Sequence, residues 1–443
     1  MIYCISMTQA QALEILKLGH NVFLTGQAGA GKTYVLNQYI EYLQEEGIEV
    51  AKTASTGIAA THIDGITIHS WSGIGVANDL TEKDLVQIKK RTGIRKRIQK
   101  AKVLLIDEVS MLHDFQLNMI DAVCRFIREN REPFGGIQVI LSGDFFQLPP
   151  VSSENKPVQF IHSSRSWEEM DLRVCYLESQ FRQDDEAFLR ILNDIRGNAV
   201  DEDTYETLKE RFHVEMDDSV IPTKLYTHNA DVDQVNMWHL KQIEEKQHLY
   251  KMSEKGIERY ANALKANCLA PEILPLKIGA AVMFLKNNFE KGYVNGTLGT
   301  VVDFDEYQCP IVYTVNGDEI AVRPESWAIE EDGKTLASIK QMPLRLAWAI
   351  TVHKSQGMTL DAAEVDLSKC FVPGMGYVAL SRVRSLSGLR LIGMNELSLV
   401  VLPEVLDIDD ELRGLSQRAE NQLEKMKPKE RKKKQLEFIA SIT

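Results

Sequence analysis

Hydrophobic residues along this chain fall into two kinds of segment, short continuous runs and longer stretches with helical spacing. Continuous apolar runs of strand length occupy residues 21–25, 103–108 and 137–144, and each ends in polar residues. Buried parallel strands have this pattern, and polar side chains at their carboxyl ends do the chemistry in α/β proteins. Between residues 35 and 43 the apolar positions recur with a helical period instead. The pattern therefore predicts an α/β unit with a parallel sheet.

A second set of apolar runs predicts a second α/β unit. These runs cover residues 224–229, 345–354, 363–367 and 389–394. Two segments break the pattern: residues 72–100 are polar and basic, whereas residues 284–343 hold short β-branched runs separated by Asn-Gly, Gly-Asp and Pro. The second of these segments has the pattern of a small antiparallel barrel.

The predicted organisation is thus two α/β domains in tandem, each with an insert. A chain of 443 residues is too long for a single core, which agrees with this division. The predicted boundaries are residues 1–71 and 101–172 for the first domain, 72–100 for its insert, 173–283 and 344–405 for the second domain, 284–343 for the barrel insert, and 406–443 for a charged helical C-terminal tail.

Composition narrows the class of protein. The chain is 44% hydrophobic and 26% charged, it has no apolar run of about 18 residues, and its start lacks a basic region before a long apolar run. Six well-separated cysteines without a CxxC pair are typical of a reducing compartment and argue against a zinc site. We therefore expect a folded cytoplasmic protein without a membrane partner, associated with the nucleoid if its source is bacterial.

The net charge of −12 argues weakly against a nucleic-acid partner, because an acidic surface repels phosphates. Two segments, residues 89–102 and 425–434, are nevertheless strongly basic within this acidic chain. Either segment could be a solvated charged face, or could hold duplex DNA or a displaced strand.

Residues 26–33, with the sequence GQAGAGKT, have the pattern of a phosphate-binding loop between a predicted strand and a predicted helix. Glycines let the backbone curl so that its N–H groups face phosphate oxygens. Lys32 would neutralise the β and γ oxygens, and Thr33 would give its hydroxyl to Mg²⁺, so we expect ATP and Mg²⁺ here. The predicted nucleotide-binding residues of this segment are Gly26, Ala28, Gly29, Ala30, Gly31, Lys32, Thr33 and Tyr34.

Two carboxylates, an amide and two arginines are the candidates for hydrolysis. Asp107 would hold Mg²⁺ and Glu108 would activate water, although adjacent carboxylates at a strand end can also be helix caps. Gln147 would sense the γ-phosphate, or be an ordinary turn residue. Arg182 and Arg382 are candidate arginine fingers, worth about 10³–10⁵ in rate, although spacing alone would not separate them from solvated arginines. Both lie in the predicted second domain, so hydrolysis would require the two domains to close.

In their order along the chain, these motifs resemble those of superfamily-one helicases of the 5′→3′ branch. The resemblance is greatest to the Pif family, named for petite integration frequency, which is similar to RecD-type helicases. Residues 120–136 also resemble a segment peculiar to that family. The matching segments are residues 8–16 (Q motif), 26–33 (motif I), 54–60 and 67–70 (motif Ia and its extension), 106–111 (motif II), 143–150 (motif III), 181–183 (motif IV), 351–367 (motif V) and 377–385 (motif VI).

The resemblance implies a fold of two RecA-like P-loop NTPase domains, with a small wedge insert in the first and an SH3-like β-barrel insert in the second. It implies that Gln11 reads adenine and that Gly357 lies near the nucleotide. Because Gln11 is close to the first residue, we expect a compact microbial or phage-like version. The implied partners are single-stranded DNA and tailed duplex DNA, with G-quadruplexes or RNA–DNA hybrids as further substrates, and the chain is expected to act as a monomer.

The same motifs imply which residues hold the DNA strand. A motor on single-stranded DNA needs backbone contacts that ignore sequence. His69, His228 and His353 could instead be structural hydrogen-bonding residues, and no ligand cluster accompanies them to form a metal site. The implied strand-binding residues are Ser55, Thr56, Gly57, Thr67, His69, Pro149, His228, Asn229, Thr351, His353 and Lys354.

The predicted function is an ATP-dependent 5′→3′ DNA helicase that steps along one strand and unwinds duplex DNA. An ATP-driven translocase or remodeller without processive unwinding would carry the same motifs. A P-loop kinase or a nucleotide switch is a remoter alternative, because neither explains the later motifs or the second α/β unit.

Overall fold

The structure is a computed structural model in which residues 7–75, 77–150, 159–180, 185–216, 222–268, 270–286, 288, 291–293, 295–315, 317–331 and 334–443 are described. Across these residues, no helix combines the length and the hydrophobicity that crossing a bilayer requires.

Helices and strands follow one another in the order that the apolar pattern predicts. The helices are α1 (Gln9–Lys17), α2 (Lys32–Glu45), α3 (Gly57–His62), α4 (Ile68–Ser72), α5 (Glu82–Lys90), α6 (Thr92–Lys100), α7 (Asp114–Arg128), α8 (Arg165–Glu169), α9 (Glu186–Arg196), α10 (Glu202–Lys209), α11 (Asn229–Gln242), α12 (Glu258–Asn267), α13 (Met375–Leu380), α14 (Pro403–Lys425) and α15 (Pro428–Ile442). The strands are β1 (Val22–Gly26), β2 (Val50–Ala54), β3 (Ile66–Thr67), β4 (Val103–Asp107), β5 (Gln138–Ser142), β6 (Arg173–Leu177), β7 (Thr223–Tyr226), β8 (His248–Lys251), β9 (Ser253–Gly256), β10 (Ile273–Leu276), β11 (Ala281–Phe284), β12 (Leu298–Phe304), β13 (Pro310–Thr314), β14 (Glu319–Ala321), β15 (Glu325–Glu331), β16 (Lys334–Gln341), β17 (Leu344–Leu346), β18 (Ala349–Thr351), β19 (Ala363–Leu367) and β20 (Leu389–Met394).

The chain divides into two compact units that do not follow the predicted domain boundaries. The first unit contains Met1–Tyr205, Phe371–Ser385 and Glu396–Thr443, and the second contains Glu206–Cys370 and Leu386–Asn395. Residues 344–405, predicted as one piece of the second domain, are therefore split between the units. In particular, the segment that carries Arg382 belongs with the P-loop.

A parallel sheet with the strand order β3-β2-β4-β5-β1-β6 forms the centre of the first unit. β1 and β5 are buried along their whole length, as their unbroken apolar sequences predict. β6 pairs with β1 from Val22↔Arg173 to Gly26↔Leu177. The predicted boundary after residue 172 is therefore wrong, because the apolar run that follows it completes the first sheet and does not open a second one.

The C-terminal helices α14 and α15 also belong to the first unit. Ala419, Leu423 and Ile439 are buried in the hydrophobic core that α1 and α2 form over the sheet. Helices with an apolar face bury that face against a partner, which here is the first unit itself. Residues 406–443 are thus part of the fold and not a separate tail.

The first insert, residues 72–100, is mainly helical. α5 begins with a capping box between Thr81 and Asp84. α6 is tied to α4 by Arg97, whose Nε donates a hydrogen bond to the backbone oxygen of Trp71 at 2.8 Å. The insert therefore packs beside the segment at residues 67–70, where strand-binding residues are predicted.

The second unit contains a parallel sheet with the strand order β18-β7-β19-β20. Leu225 in β7 lies beside Ile350 in β18 and Val365 in β19, and Val365 lies beside Leu391 in β20. All four residues are buried. With two parallel sheets in one chain, the predicted α/β fold class is confirmed.

An antiparallel five-stranded sheet in the second unit, with the order β14-β13-β12-β11-β17, forms the predicted barrel. Its first and last strands in the chain, β11 and β17, pair through Val282↔Leu346, so the predicted limits of 284–343 are too narrow. At Gly299 a Cβ would lie 2.6 Å from the Cγ1 of Val312. Only glycine therefore permits β12 and β13 to approach this closely.

Candidate active site and nucleic-acid interface

Glycines curl the loop between β1 and α2 in conformations that other residues rarely adopt. Gly26 has a φ of +139°, and a Cβ there would lie 2.2 Å from the carbonyl oxygen of Leu177. Gly29 and Gly31 have φ values of +87° and +85°. α2 then begins at Lys32 with no side-chain cap from Gly31. The N-terminus of α2 therefore offers backbone N–H groups to an anion.

The ammonium group of Lys32 lies inside this curl. Its Nζ donates hydrogen bonds to the carbonyl oxygens of Gly26 at 2.7 Å and Gln27 at 3.1 Å. Desolvation by burial lowers the pKa of Lys32, and the negative charges of Asp144 and Glu108 oppose that shift. The positive charge thus lies where a P-loop lysine meets phosphate oxygens.

The remaining predicted loop residues differ in exposure. Ala28 and Ala30 are buried, whereas Thr33 and Tyr34 are exposed in the first turn of α2. The backbone N–H of Ala28 donates a weak hydrogen bond to the hydroxyl of Tyr377 at 3.4 Å. One phosphate-facing backbone donor therefore has a protein partner from the segment that carries motif VI.

Asp107 and Glu108 lie at the carboxyl end of β4. In the sheet, β5 separates β4 from β1, the strand that leads into the P-loop. Glu108 adopts a left-handed conformation with φ +51°, and its backbone N–H donates to the Oδ1 of Asp107 at 2.9 Å. Burial, followed by the charge of Asp107, raises the pKa of Glu108 to about 7. Its Oε2 is buried and has no hydrogen-bond partner within the described part of the chain. A buried, unpaired carboxylate with this pKa is suited to accept a proton from water.

Gln147, on the motif III segment, is buried. Its backbone N–H donates to the Asp144 carbonyl at 3.0 Å, while its Oε1 is buried without a partner among the residues described. The backbone of Gln147 is thus fixed by a hydrogen bond while its amide oxygen has no described partner, which is consistent with the predicted sensor role. Pro149, predicted to contact DNA, is buried as well, so it offers no exposed surface to a strand.

Of the two predicted arginine fingers, Arg382 is the one that the structure describes. It is 2% exposed, and its Nε and Nη2 donate to the Val378 carbonyl and the Ser381 hydroxyl, both at 3.0 Å. Its positive charge lowers the pKa of Glu108, so the two groups are close within the first unit. Arg182 lies outside the described residues, and Gly357 lies in a turn of the second unit with a φ of +77°.

At the N-terminus of α1, Gln9 and not Gln11 reaches the P-loop. The Nε2 of Gln9 donates to the carbonyl oxygen of Ala30 at 3.2 Å. Gln11 is the fourth residue of a capping box that starts at Thr8, and its Nε2 donates to the buried Glu420 at 3.0 Å. The amide of Gln11, predicted to read adenine, is thus used to fix α1 against α14.

Arg196 is a buried residue of this site that no sequence motif indicated. Its Nη1 donates to both carboxylate oxygens of Asp144, at 3.0 and 2.9 Å, and to the hydroxyl of Tyr377 at 3.2 Å. Asp144 and Tyr377 stand inside motifs III and VI, whereas Arg196 ends an ordinary amphipathic helix, α9. Sequence alone gave no signal that separates this arginine from a solvated one.

The predicted strand-binding residues after β2 take part in internal contacts. Ser55 is buried, and its Oγ donates to the carbonyl oxygen of Glu108 at 2.7 Å. The Oγ1 of Thr56 accepts a hydrogen bond from the backbone N–H of Ala59 at 3.2 Å as α3 begins at Gly57. Ser55 thus links the predicted strand-binding segment to the backbone of Glu108.

Thr67 and His69 frame the short helix α4. The Oγ1 of Thr67 caps α4 by accepting from the backbone N–H of Ser70 at 3.3 Å. His69 is half-buried, and burial lowers its pKa. A neutral imidazole and a capped helix start form a polar edge beside the first insert.

In the second unit, the predicted strand-binding residues meet at the ends of two paired strands. Tyr226 of β7 lies beside Thr351 of β18, so the residues that follow each strand are neighbours. The Oγ1 of Thr227 and the Nδ1 of His228 are 2.8 Å apart, and His228 is exposed. Asn229 begins α11, and its side chain lies outside the described parts.

Lys354 brings positive charge to the same place, beside the imidazole of His353. Burial, and then the charge of Arg345, lowers the pKa of Lys354 to about 8, while Asp233 opposes the shift. Burial lowers the pKa of His353, and the charges of His228 and Lys354 lower it further. A lysine ammonium beside a histidine at these strand ends suits a DNA phosphate.

Comparison with known proteins gives consistent results over most of the chain. The PIF1-like helicase family matches residues 4–202, and the 2B domain of DNA helicase Pif1 matches residues 259–304. The ATP-dependent DNA helicase Pif1 of Psychrobacter sp. (strain PRwf-1) is 44% identical over 94% of this chain and 72% of its own length. The human ATP-dependent DNA helicase PIF1 is 37% identical over 92% of this chain, which spans 64% of the human protein.

Solved structures agree with the sequence comparison. The Pif1 helicase from Candida albicans superposes with a TM-score of 0.81 at 35% identity, covering 91% of this chain and 98% of that one. A Pif1 helicase from Bacteroides in complex with ADP-AlF3 and ssDNA has a TM-score of 0.69 at 30% identity, covering 92% and 97%. Because the similarity extends through both parallel sheets and the inserted barrel, this chain belongs to the PIF1-like helicase family.

Proposed function

We propose that this ATP-dependent DNA helicase steps along single-stranded DNA in the 5′→3′ direction and separates the duplex ahead of it. The observation that carries the proposal is that one nucleotide site occurs together with polar or basic strand ends in both units. The first unit has residues 55–57 and 67–70, and the second has the basic cluster around residues 351–354. A switch needs one binding surface, whereas two surfaces can hold DNA alternately.

Hydrolysis is assigned to side chains of the first unit. Lys32 binds the β- and γ-phosphate oxygens, and Gln147 contacts the γ-phosphate by donating from its side-chain Nε2. Glu108 orients the attacking water and accepts its proton. Arg382 neutralises the charge that develops as the phosphate bond breaks.

Oxygen ligands beside Lys32 fit Mg²⁺. Thr33 is exposed in the first turn of α2, and Asp107, whose charge opposes the lowering of the pKa of Lys32 by burial, ends β4. Hydroxyl and carboxylate oxygens are ligands that Mg²⁺ prefers. Thr33 and Asp107 would hold the ion, which supplies charge neutralisation on the triphosphate when it is bound.

A comparison of tailed duplexes tests the direction of movement. The substrates are fluorescent duplexes of equal length that carry a single-stranded tail at either the 5′ or the 3′ end, with ATP and Mg²⁺. We expect unwinding of the 5′-tailed substrate only, and none by the Lys32→Ala variant. Equal unwinding of both tails would contradict the polarity, and DNA-stimulated ATPase without unwinding of either would show a translocase. An ATPase rate that single-stranded DNA leaves unchanged would instead favour a kinase or a switch.

We also propose that one copy of the chain is sufficient and that folded G-quadruplexes are substrates. Both strand-binding surfaces and the nucleotide site come from a single chain, so no second copy is needed to complete them. The unwinding rate per chain should stay constant as the protein concentration rises. A 5′-tailed G-quadruplex should be opened in the same assay, and its persistence would remove it from the substrate range.

A further inference from the structure

A buried guanidinium group joins two segments of the active site that are far apart in sequence. Arg196, at the end of α9, is 5% exposed. Its Nη1 is shared between the two carboxylate oxygens of Asp144, and its Nη2 donates to the hydroxyl of Tyr176 at 2.9 Å. The guanidinium carbon lies 3.6 Å from the centre of the Phe146 ring, which covers the planar face of the group. Arg196 therefore holds the motif III segment by charge and by stacking.

The same group holds the start of α13. Nη1 of Arg196 donates to the Tyr377 hydroxyl at 3.2 Å, and that hydroxyl also accepts the weak hydrogen bond from the Ala28 N–H. Backbone packing supports this contact, because a Cβ at Gly374 would lie 2.8 Å from the carbonyl oxygen of Phe146. The P-loop, motif III and α13 therefore meet at Arg196 and Tyr377.

The two segments that Arg196 joins carry the sensor and the arginine finger. Asp144 is linked to Gln147 by a backbone hydrogen bond of 3.0 Å, and the Tyr377 carbonyl accepts from Ser381, the residue before Arg382, at 2.9 Å. Each end of the contact is thus one short, hydrogen-bonded turn away from a group that acts on the γ-phosphate. Arg196 itself does not belong to the loop that binds phosphate.

The contact requires the shape of arginine. The guanidinium group reaches the carboxylates of Asp144 and Asp409, two phenol hydroxyls and an aromatic face at once. A lysine ammonium cannot do this from one position. Asp144 is 1% exposed and carries a charge that needs a partner when buried. Loss of the guanidinium would free Asp144 to move and to carry the Gln147 segment with it.

We propose that Arg196 is a positioning residue for ATP hydrolysis, which fixes the segment that carries Gln147 against the helix that precedes Arg382. The inference rests on the proposed function, because it assumes that these two groups act on the γ-phosphate. It assigns a role to a residue outside the helicase motifs. It also separates nucleotide binding, which uses the P-loop, from stabilisation of the transition state, which uses the joined segments.

The affinity for ADP compared with that for ADP-AlF4⁻ tests this role in the full-length chain. ADP-AlF4⁻ imitates the transferring phosphate and needs the sensor and the finger in place, whereas ADP needs the P-loop. For Arg196→Lys we expect the ADP-AlF4⁻ affinity to fall about 10- to 100-fold, as small displacements of catalytic groups do, with the ADP affinity retained. Tyr377→Phe, which removes only a hydroxyl, should lower the ADP-AlF4⁻ affinity by a smaller factor.

Arg413 provides the matched control. Its Nη2 donates to the same Tyr176 hydroxyl at 2.9 Å and its Nε to Asp409 at 2.7 Å, but it is bonded to neither Asp144 nor Tyr377. Arg413→Lys should leave both nucleotide affinities unchanged, even if it lowers the unfolding temperature.

Three results would overturn the inference. They are an unchanged ADP-AlF4⁻ affinity in Arg196→Lys, equal losses of ADP and ADP-AlF4⁻ affinity, and an equal loss in Arg413→Lys. If Arg196→Lys does not fold, Tyr377→Phe decides, and an unchanged affinity there counts against the role. Because the nucleotide measurements need no DNA, a failure of the polarity experiment remains distinguishable from a failure of this inference.

Discussion

At the scale of single residues, Glu108 combines two unfavourable features that suit its proposed role as the base. Its left-handed backbone costs about 1–3 kcal/mol for a residue other than glycine. Its carboxyl group is buried beside Asp107, and its Oε2 has no hydrogen-bond partner in the described parts of the chain. The Oε2 that protein groups leave unsatisfied is available to a water molecule, as the proposed base requires.

The raised pKa of Glu108 predicts a pH dependence of ATP hydrolysis. Desolvation and then the charge of Asp107 raise this pKa to about 7, and a general base acts only when it is ionised. The kcat for ATP at saturating single-stranded DNA should therefore rise with pH through about 7 and level off above it. Glu108→Gln should bind ATP and be inactive at every pH. A flat kcat between about pH 6 and pH 8 would show that a different group accepts the proton.

At the scale of elements, two glutamines at the start of α1 have different roles, one structural and one in contact with the nucleotide-binding loop. The capping box of Thr8 and Gln11 sets where α1 begins, and the contact from Gln11 to Glu420 attaches it to α14. With α1 fixed in this way, Gln9 projects to the carbonyl of Ala30. Gln11 thus has a structural role at the start of α1, and this fixes Gln9 in contact with the nucleotide-binding loop.

The two glutamines should therefore give opposite mutational effects. Gln11→Ala removes a capping contact and leaves the Oε1 of the buried Glu420 without its donor, while Gln417 still donates to Oε2. It should therefore lower the free energy of unfolding by about 1–3 kcal/mol and leave the KM for ATP unchanged. Gln9→Ala should raise the KM for ATP by about 5- to 10-fold, the worth of one hydrogen bond, with stability unchanged. Urea unfolding and steady-state ATPase assays measure both. A rise in KM in Gln11→Ala alone would restore the adenine role predicted for that residue.

At the scale of the whole molecule, the end of the chain completes the core at its beginning. Phe438 and Ile442 pack against the hydrophobic cluster of the first unit, and Ile439 is buried within it. Gln435 donates to Glu14 of α1 at 2.9 Å. The last helix therefore contributes to the core of the nucleotide-binding unit, although its lysines are typical of a solvated tail.

Removal of residues 428–443 should destabilise the first unit. The truncation exposes the core that Phe438 and Ile439 cover, and each such buried side chain contributes about 1.5–3 kcal/mol. We expect a loss of about 3–6 kcal/mol in the free energy of unfolding, measured by urea denaturation. The matched control is the double variant Lys432→Gln and Lys433→Gln, whose exposed side chains carry charge without packing. It should unfold like the parent chain, and equal stability of the truncated protein would contradict the structural role.

Sequence alone determined the order of elements and the chemistry of each strand end. Continuous apolar runs are buried between layers, and a glycine-rich loop with Lys32 is typical of an anion site, so these features are visible locally. The parallel sheets, the barrel and the places of Asp107, Glu108 and Gln147 follow from such local constraints. The family resemblance came from the same motifs.

Tertiary structure alone decided which distant segments share a unit. The run at residues 173–177 could have opened a second sheet, and only its pairing with β1 assigned it to the first. Likewise Arg196 and the last helix show no local signal, because a buried arginine and a solvated one have the same sequence. Their roles depend on partners such as Asp144 and Tyr377, far away in the chain. The local sequence pattern indicates which side chains of a segment will be buried. Only the tertiary packing determines which other segments cover them.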